Sequence, residues 1–367
     1  MLKNNLIFFM PQMGGGGVEK NLFIIANHFA KKIKNVYLIT SSRNFNNNFK
    51  SVKIINPKYN FWNYFGKRFN YLICLLILIK EICNKKKPIV FAFQANIYCI
   101  IVCKLLKIKI VTRSNTAPSG WTQNIFKNFI FKILITAADK IIVNSYEFQK
   151  EFKNKFNIKT VCIYNPLNVN EIIKKSKIDF NLKYFNKKNK LKILNIGRFT
   201  DQKDHITLLR SIKILKNKYN LNFILLIMGS GKNKKKIKNY IIKNDLNTNV
   251  KLIGFQKNPY KFIKHCDLFV LSSVYEGLPN VLLEAITLKK FIISSNCPTG
   301  PSEILNYGKG GFLFNIGDYK NLAKKIIYYF KNKKILNKKI NIAYKNLDRF
   351  DYDKNLKKYF DEVTSLF

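Results

Sequence analysis

Acidic residues and clusters of potential metal ligands are scarce in this chain of 367 residues. It has 20 Asp+Glu against 66 Lys+Arg, which gives a formal net charge of +46. A positive field of that size attracts polyanions, anionic substrates or an anionic membrane. Lys, Asn and Ile are abundant throughout, as AT-rich codons would also make them. The charge by itself therefore indicates only an affinity for anions.

The seven cysteines form no CxxC pair and no cluster with metal-ligand spacing, and their number is odd. No signal-peptide pattern precedes the first apolar run, so we expect a reducing, cytoplasmic setting. The "DYD" at 351–353 matches a metal-binding D-x-D pattern, but it follows no apolar strand and is expected to cap a helix. We therefore predict no metal site and no cofactor.

Other signatures are missing as well. The glycine run "GGGG" at 14–17 lacks the G-x-G-x-x-G spacing of dinucleotide-binding dehydrogenases. The apolar run "YLICLLILI" at 71–79 is far shorter than the roughly 20 residues needed to span a bilayer. His28, His205 and His265 are separated from one another, so each is expected to be a surface or hydrogen-bonded histidine rather than a catalyst.

Short apolar runs alternate with amphipathic segments along the chain. "NLIFFM", "KPIVFAFQ" and "KIIVNS" occur in the first half, and "KLKILNIGRF", "NFILLIMGSG" and "DLFVLSS" in the second. Strands that are apolar throughout, with helices between them, indicate parallel sheets covered on both faces. We therefore predict an α/β protein with two doubly wound, Rossmann-like domains that face a central cleft.

The predicted domain boundary lies at Asn165-Pro166. The apolar strand "VCIYN" ends there, and the next apolar strand does not begin until Leu191. The predicted divisions are residues 1–165, residues 166–345, and a terminal helix within 346–367 that could cross back to the first domain.

The stretch "SSVYEGLPNVLLEA", residues 272–285, places two glutamates eight positions apart. Pro279 is expected in the first turn of a helix, and Gly277 permits a sharp loop close to a ligand. A helix that begins at the carboxyl end of a parallel strand favours an anion such as phosphate. Glu276 and Glu284 would then accept hydrogen bonds from hydroxyl groups, although a solvated helix face explains Glu284 alone equally well.

The stretch "LNIGRFTDQKDHITLLRSIKIL" supplies two cations, Arg198 and Lys203, between a strand end and a helix. Two cations in this position can hold a diphosphate and stabilise negative charge on a leaving group. Either alone would be ordinary surface charge in a chain this basic. Together with an anion site in the same domain, they predict a nucleotide-diphosphate pocket.

Several motifs together resemble the glycosyltransferase family 4 group, which has the GT-B fold. They are "PQMGGGGVEKNL", "AADKIIVNS", "YNP", "IGRFTDQKDHITLLRSI", "IMGSG", "YEGLPNVLLEAI" and "CPTGPSEIL", in the expected order over nearly the entire chain. The E-x7-E element of Glu276 and Glu284 is the most specific of them. The resemblance implies a retaining enzyme that transfers a hexose or N-acetylhexosamine from a nucleotide-diphosphate sugar, with UDP the expected nucleotide.

The same resemblance implies roles for individual residues. Glu284 would hold the donor ribose, Glu276 would lie beside the donor sugar, and Arg198 and Lys203 would hold the diphosphate; Glu276, Arg198 and Lys203 are the catalytic candidates. The other candidate donor-binding residues are Gly14, Gly15, Gly16, Gly17, Asn115, Gly197, Gly229, Gly254, Phe255, Gly277, Leu278, Pro279 and Asn280.

One departure from the family concerns the strand that reads "IKIVTRSNTAPSG". Many relatives carry a histidine after it, near the reacting sugar, whereas this chain has Arg113, Ser114 and Asn115. Ser114 or Asn115 is a candidate contact for the donor sugar, and the catalytic base stays unassigned. A front-side departure, as proposed for the family, can use a donor phosphate oxygen as the base.

The segment 60–87 joins aromatic and basic residues and predicts a peripheral enzyme on the cytoplasmic face of an anionic inner membrane. The candidate membrane contacts are Phe61, Trp62, Phe65, Lys67 and Arg68. The expected acceptor is then a glycan or a polyprenyl-diphosphate-linked glycan of surface polysaccharide, lipopolysaccharide or glycoprotein assembly. Residues 71–83 could instead form an ordinary helix packed on the first sheet.

Two other classes of function compete. A nucleic-acid-binding protein would explain the charge and the aromatic residues, but the basic residues are spread along the chain and no recognition motif interrupts the α/β pattern. A nucleotide-sugar epimerase can share the GT-B scaffold, but the order and spelling of the motifs fit a transferase better. We therefore expect a transferase with no nucleic-acid partner.

Overall fold

A computed structural model of the protein describes residues 1–59, 66–115, 125–178, 185 and 190–367. The chain divides into two compact units, one formed by Met1–Pro166 with Tyr352–Phe367 and the other by Leu167–Asp351. The chain therefore passes from one unit to the other twice. Residues 346–351, predicted with the terminal helix, belong to the second unit.

The first unit is built on a parallel sheet of seven strands. They are β1 (Leu2–Phe9), β2 (Ile33–Ile39), β3 (Lys53–Ile55), β4 (Ile89–Ala92), β5 (Ile110–Arg113), β6 (Lys140–Val143) and β7 (Val161–Cys162). Their order across the sheet is β3-β2-β1-β4-β5-β6-β7. The helices of this unit are α1 (Gly17–Ala30), α2 (Lys67–Cys83), α3 (Asn96–Leu105), α4 (Ile125–Thr136), α5 (Tyr146–Phe156) and the terminal α14 (Tyr352–Thr364), with a 3-10 helix at Arg43–Asn48.

Strand β1 shows why this sheet is covered on both faces. Its residues Leu6, Ile7, Phe8 and Phe9 are all fully buried. Leu6 and Phe8 pack in one core cluster with residues of α1 and α14, while Ile7 and Phe9 pack in another with residues of α2, α3 and α5. Successive side chains of a strand point to opposite faces, so a continuous apolar run requires helices on both sides.

The second unit is built on a parallel sheet of six strands. They are β8 (Leu191–Ile196), β9 (Phe223–Met228), β10 (Val250–Ile253), β11 (Leu268–Leu271), β12 (Phe291–Ser295) and β13 (Phe312–Phe314), in the order β10-β9-β8-β11-β12-β13. The helices are α6 (Val169–Ser176), α7 (His205–Asn217), α8 (Lys234–Lys243), α9 (Tyr260–His265), α10 (Asn280–Thr287), α11 (Pro301–Ile304), α12 (Tyr319–Lys331) and α13 (Lys333–Lys345). Short 3-10 helices cover Asp201–Lys203 and Asn346–Phe350. The two sheets confirm the predicted α/β class with two doubly wound domains.

A fully buried arginine, Arg113, stands at the end of β5. The Arg113 Nε donates to Tyr359 Oη at 3.0 Å, and its two terminal nitrogens donate to Asn165 Oδ1 at 2.5 Å and to Asn115 Oδ1. The guanidinium carbon lies 5.4 Å from the centre of the Phe93 ring. These acceptors are neutral, so hydrogen bonds stabilise the charge and join β5, α14 and the last residues of the first segment.

We expect Arg113→Met to lower the free energy of unfolding by about 3 kcal/mol, because three acceptors, two of them fully buried, lose their donor. Tyr359→Phe, which removes one of the three bonds, should cost about 1 kcal/mol. Urea denaturation measures both, with Arg68→Met at an exposed position of α2 as the control. Equal stability of Arg113→Met and the wild type would contradict the structural role of Arg113.

Candidate functional site

Four loops leave the carboxyl edge of the second sheet side by side, after β8, β9, β11 and β12. Strands β8 and β11 are hydrogen-bonded neighbours, although β9 and β10 separate them in the chain. The strand order therefore reverses between β8 and β11. Open α/β sheets bind ligands in the crevice at such a reversal.

A buried ion pair connects the loops after β8 and β11. Lys203 Nζ lies 2.5 Å from Oε1 of Glu276, and only 13% and 7% of the two side chains are exposed. Ser273 Oγ donates to the same carboxylate oxygen at 2.6 Å. Thr299 Oγ1, from the loop after β12, donates to the main-chain oxygen of Glu276 at 2.8 Å. Three strand ends are thus connected through one glutamate.

Main-chain contacts fix the two loops relative to each other. The Ser272 hydroxyl lies 3.0 and 2.9 Å from two consecutive carbonyl oxygens, the first of which belongs to Lys203. The Gln202 side-chain amide donates to the main-chain carbonyl of Tyr275 at 3.0 Å, and the main-chain carbonyl of Gln202 accepts from Val274 N at 2.8 Å. The ion pair is therefore held in place from both sides.

Three glycines allow close contacts that a side chain would block. A Cβ at Gly197 would lie 3.2 Å from Cγ and Cδ of Lys203, so the lysine stem packs against this residue. A Cβ at Gly229 would lie 2.0 Å from the Gly197 carbonyl oxygen, and one at Gly300 would lie 2.0 Å from the Gly277 carbonyl oxygen. No other residue fits at Gly229 or Gly300 without moving the neighbouring loop.

Helix α10 presents the second glutamate. Pro279 occupies the position before the helix rather than its first turn, and no side chain caps the helix start. Glu284 is 5% exposed and Glu276 is 6% exposed. A solvated helix face is therefore the wrong explanation for Glu284. Both carboxylates are buried in the second unit, as binding groups would be.

The remaining candidates of the second unit follow strand ends at the same edge. Arg198 is exposed in the loop after β8, and Gly229 follows β9. Gly254 and Phe255 follow β10, and the Phe255 side chain is 55% exposed. An exposed ring at this edge can stack on a planar base.

The glycine loop of the first unit follows β1. Its Gly14 N donates to Oε1 of Glu19 at 2.9 Å, and a Cβ at Gly16 would lie 3.0 Å from the other carboxylate oxygen. Glu19, in the first turn of α1, is buried. We did not predict this residue, although an acid two positions after a glycine run is a recognisable signal for a loop anchor.

The side chain of Asn115 is hydrogen-bonded within the first unit. Its Oδ1 accepts from Arg113, and its Nδ2 donates to the Phe93 carbonyl at 2.8 Å. The predicted contact of Asn115 with the donor sugar would require one of these bonds to break. The candidate membrane residues Phe61, Trp62 and Phe65 lie outside the described residues, while Lys67 begins α2 and Arg68 is exposed on it.

His205, the first residue of α7, is buried beside Lys203. Its ring meets the Phe199 ring edge-on at 5.3 Å between centroids. Burial lowers the pKa of His205 to about 4, with a smaller effect from the Lys203 charge. Among the described residues no hydrogen-bond partner is recorded for its Nε2. His205 is therefore a buried histidine and not a surface one.

The backbone identifies the fold class. It matches the crystal structure of HepE from Anabaena in complex with UDP and glucose, with a TM-score of 0.80 and 18% identity, over 99% of this chain and 100% of that chain. The protein therefore has the GT-B fold of glycosyltransferases, as predicted.

Part of the sequence matches a known family. Residues 176–346 match the family "Glycosyl transferases group 1". An uncharacterized glycosyltransferase of Methanocaldococcus jannaschii is 38% identical over 228 residues, which are 58% of this chain and 56% of that protein. The match thus spans little more than half the length of that relative. Residues 176–346, which lie within the second unit, are thus similar to the glycosyl transferases group 1.

A further relative is similar over more of its length. It is the N-acetylgalactosamine-N,N'-diacetylbacillosaminyl-diphospho-undecaprenol 4-alpha-N-acetylgalactosaminyltransferase of Campylobacter jejuni. It is 27% identical over 292 residues, which are 76% of each chain.

His205 should make the stability of the protein depend on pH. Its pKa is about 4 in the folded state against 6.5 ordinarily, so the unfolded chain binds a proton more readily. Its contribution is therefore complete above pH 6.5 and is lost as the pH falls from 6.5 towards 4, by up to about 3 kcal/mol. Urea denaturation at pH 7.5 and pH 5, roughly one unit above and below that ordinary pKa, measures it.

His205→Leu should flatten this pH dependence, whereas His265→Gln, at an exposed position, should retain it. An equally steep dependence in His205→Leu and the wild type would assign the effect to other groups.

Proposed function

We propose that the protein is a retaining glycosyltransferase of the family 4 group that uses a nucleotide-diphosphate sugar. It transfers a hexose or an N-acetylhexosamine, with UDP as the nucleotide. The observation that carries this proposal is the Lys203–Glu276 pair at the reversal of strand order, with buried Glu284 on the adjacent helix. This edge of the sheet thus brings together two cations, two carboxylates that could bind hydroxyl groups, and the start of a helix.

The diphosphate is assigned to Lys203, Arg198 and the start of α10. Lys203 reaches the edge across Gly197, and Arg198 is exposed in the same loop. A bound diphosphate would compete with Glu276 for the lysine, and the two cations would stabilise charge on the leaving phosphate. The main-chain N–H groups at the start of α10 add further donors for an anion.

The donor hydroxyl groups are assigned to the two glutamates. Among the described residues, the hydrogen bonds recorded for the Glu276 carboxylate both end on Oε1. This leaves Oε2 to accept from a hydroxyl of the donor sugar. Glu284 is assigned to the ribose, and the exposed Phe255 ring to the nucleobase. Both glutamates therefore bind and orient the donor rather than act as an acid and base pair.

The acceptor is proposed to be a glycan or a polyprenyl-diphosphate-linked glycan, at the cytoplasmic face of the membrane. The Campylobacter relative supports this choice, because its name describes transfer of N-acetylgalactosamine to a sugar on diphospho-undecaprenol. The UDP in the HepE complex supports the choice of nucleotide. An excess of basic side chains would favour an acceptor that carries a diphosphate.

The decisive assay offers UDP-, GDP- and ADP-sugars with an undecaprenyl-diphosphate-linked sugar acceptor. We expect consumption of a UDP-sugar, formation of a longer glycan, and a new linkage with the anomeric configuration of the donor. An inverted product would contradict the retaining mechanism. Conversion of the sugar nucleotide without an acceptor product would favour the epimerase.

Loss of a donor contact should lower transfer strongly. Glu284→Ala and Arg198→Ala should each reduce kcat/KM at least tenfold, because a hydrogen bond to a charged group is worth about 1.5–3 kcal/mol. Glu284→Gln keeps the size of the buried side chain and separates lost charge from lost packing. Arg210→Ala, at an exposed position of α7, is the control. Wild-type kinetics in a folded Glu284→Ala Arg198→Ala double variant would refute the site.

Transfer should continue in excess EDTA. Lys203, Arg198 and main-chain N–H groups are assigned to neutralise the diphosphate, and Glu276 is already bonded to Lys203. The measurement is the initial rate with and without chelator. Complete loss of activity that Mg²⁺ or Mn²⁺ restores would show a metal requirement and direct attention to Asp351 and Asp353.

A further inference from the structure

Helix α2 has two apolar sides, of which only one is used by the core. Cys74, Leu78 and Ile82 are buried against the first sheet. Leu72 and Leu76, by contrast, are 53% and 57% exposed. An ordinary surface helix carries polar side chains on its outer face. The helix expected over residues 71–83 thus packs on the first sheet with one side, while its opposite side is apolar and exposed.

The neighbouring helices continue this outward apolar surface. Tyr98, Ile101 and Leu105 are exposed on α3 at helical spacing, and Phe129 and Ile133 are exposed on α4. Helix α3 lies against both α2 and α4, and all three helices pack on the same side of the first sheet. Their exposed side chains therefore form one surface, which we call the α2–α4 face. Contiguous apolar surface of this kind marks an interaction site.

Charge decides what this face can bind. Among the described side chains, the three helices carry one acidic residue, Glu81, and four exposed basic residues, which are Arg68, Lys80, Lys104 and Lys132. Glu81 is paired with Lys85, and Lys104 with Asp139. A second copy of the chain would bring another net charge of +46 against the first, which opposes self-association. An anionic bilayer offers both the opposite charge and an apolar interior. Among the described residues, no helix has both the length and the apolar character to cross a membrane.

We propose that the α2–α4 face docks the first domain on an anionic lipid bilayer, with its apolar side chains in the interface and its basic side chains at the headgroups. The proposal rests on the membrane location proposed above and assigns it to a surface. This surface differs from the predicted aromatic segment at 61–69, because it involves three helices and consists mainly of aliphatic side chains.

Vesicle flotation tests the docking. The probes are phosphatidylcholine vesicles with and without phosphatidylglycerol. The wild type should float with the anionic vesicles, and added salt should weaken binding. The variant Leu72→Gln Leu76→Gln Leu105→Gln should lose at least about tenfold in partitioning, since three large apolar side chains no longer enter the interface. The matched control is Ile178→Gln Ile242→Gln Ile335→Gln, which changes three exposed apolar residues of the second unit.

Three outcomes would overturn the proposal. The first is equal flotation of the wild type and the α2–α4 variant. The second is equal binding to neutral and anionic vesicles. The third is a wild-type dimer without vesicle binding that the variant dissociates, which would make the face a contact between copies.

Hydrolysis of the sugar nucleotide without acceptor or vesicles provides a separate readout. It should be the same in the variant and the wild type, because the substitutions lie outside the proposed donor site. A failure of docking with normal hydrolysis would thus concern the membrane face alone, whereas a lack of sugar-nucleotide turnover in the wild type would concern the proposed function.

Discussion

The buried pair of Lys203 and Glu276 is the interaction on which the donor-side geometry depends. It connects loops that follow two adjacent strands, at the one place in the second sheet where the strand order reverses. Burial of a lone charge at this edge would be costly, so each residue requires the other until a ligand replaces it. Ser273 and Thr299 fix the glutamate, and Gly197 leaves space for the lysine stem.

The first unit also contains a buried charge at a strand end, and there hydrogen bonds rather than an ion pair stabilise it. Arg113 is buried at a strand end and bonds to neutral oxygens from three parts of the chain. One of them, Tyr359, also packs in the core on one face of the sheet. Arg113 thus stabilises this unit, and nearby Asn115 is part of the same network.

The second unit was the easier one to predict, because its chemistry is local in sequence. Glu276 and Glu284 lie on one loop and helix, and Lys203 lies in one strand-to-helix connection, so the chemistry of each could be recognised from neighbouring residues. The sequence was not sufficient where partners come from distant segments. The exposure of Glu284, the environment of His205 and the anchoring role of Glu19 all depend on how helices pack against strands.

The sequence by itself determined the class of fold, since continuous apolar strands separated by helices are stable only in parallel sheets covered on both faces. It also determined which residue types gather at strand ends. Only the tertiary structure decided that Lys203 pairs with Glu276 and that Arg113 reaches Tyr359. Only the tertiary structure also showed that the apolar outer side of α2 is exposed. Periodicity indicates which side chains share a face of a helix, but burial depends on the neighbours that cover that face.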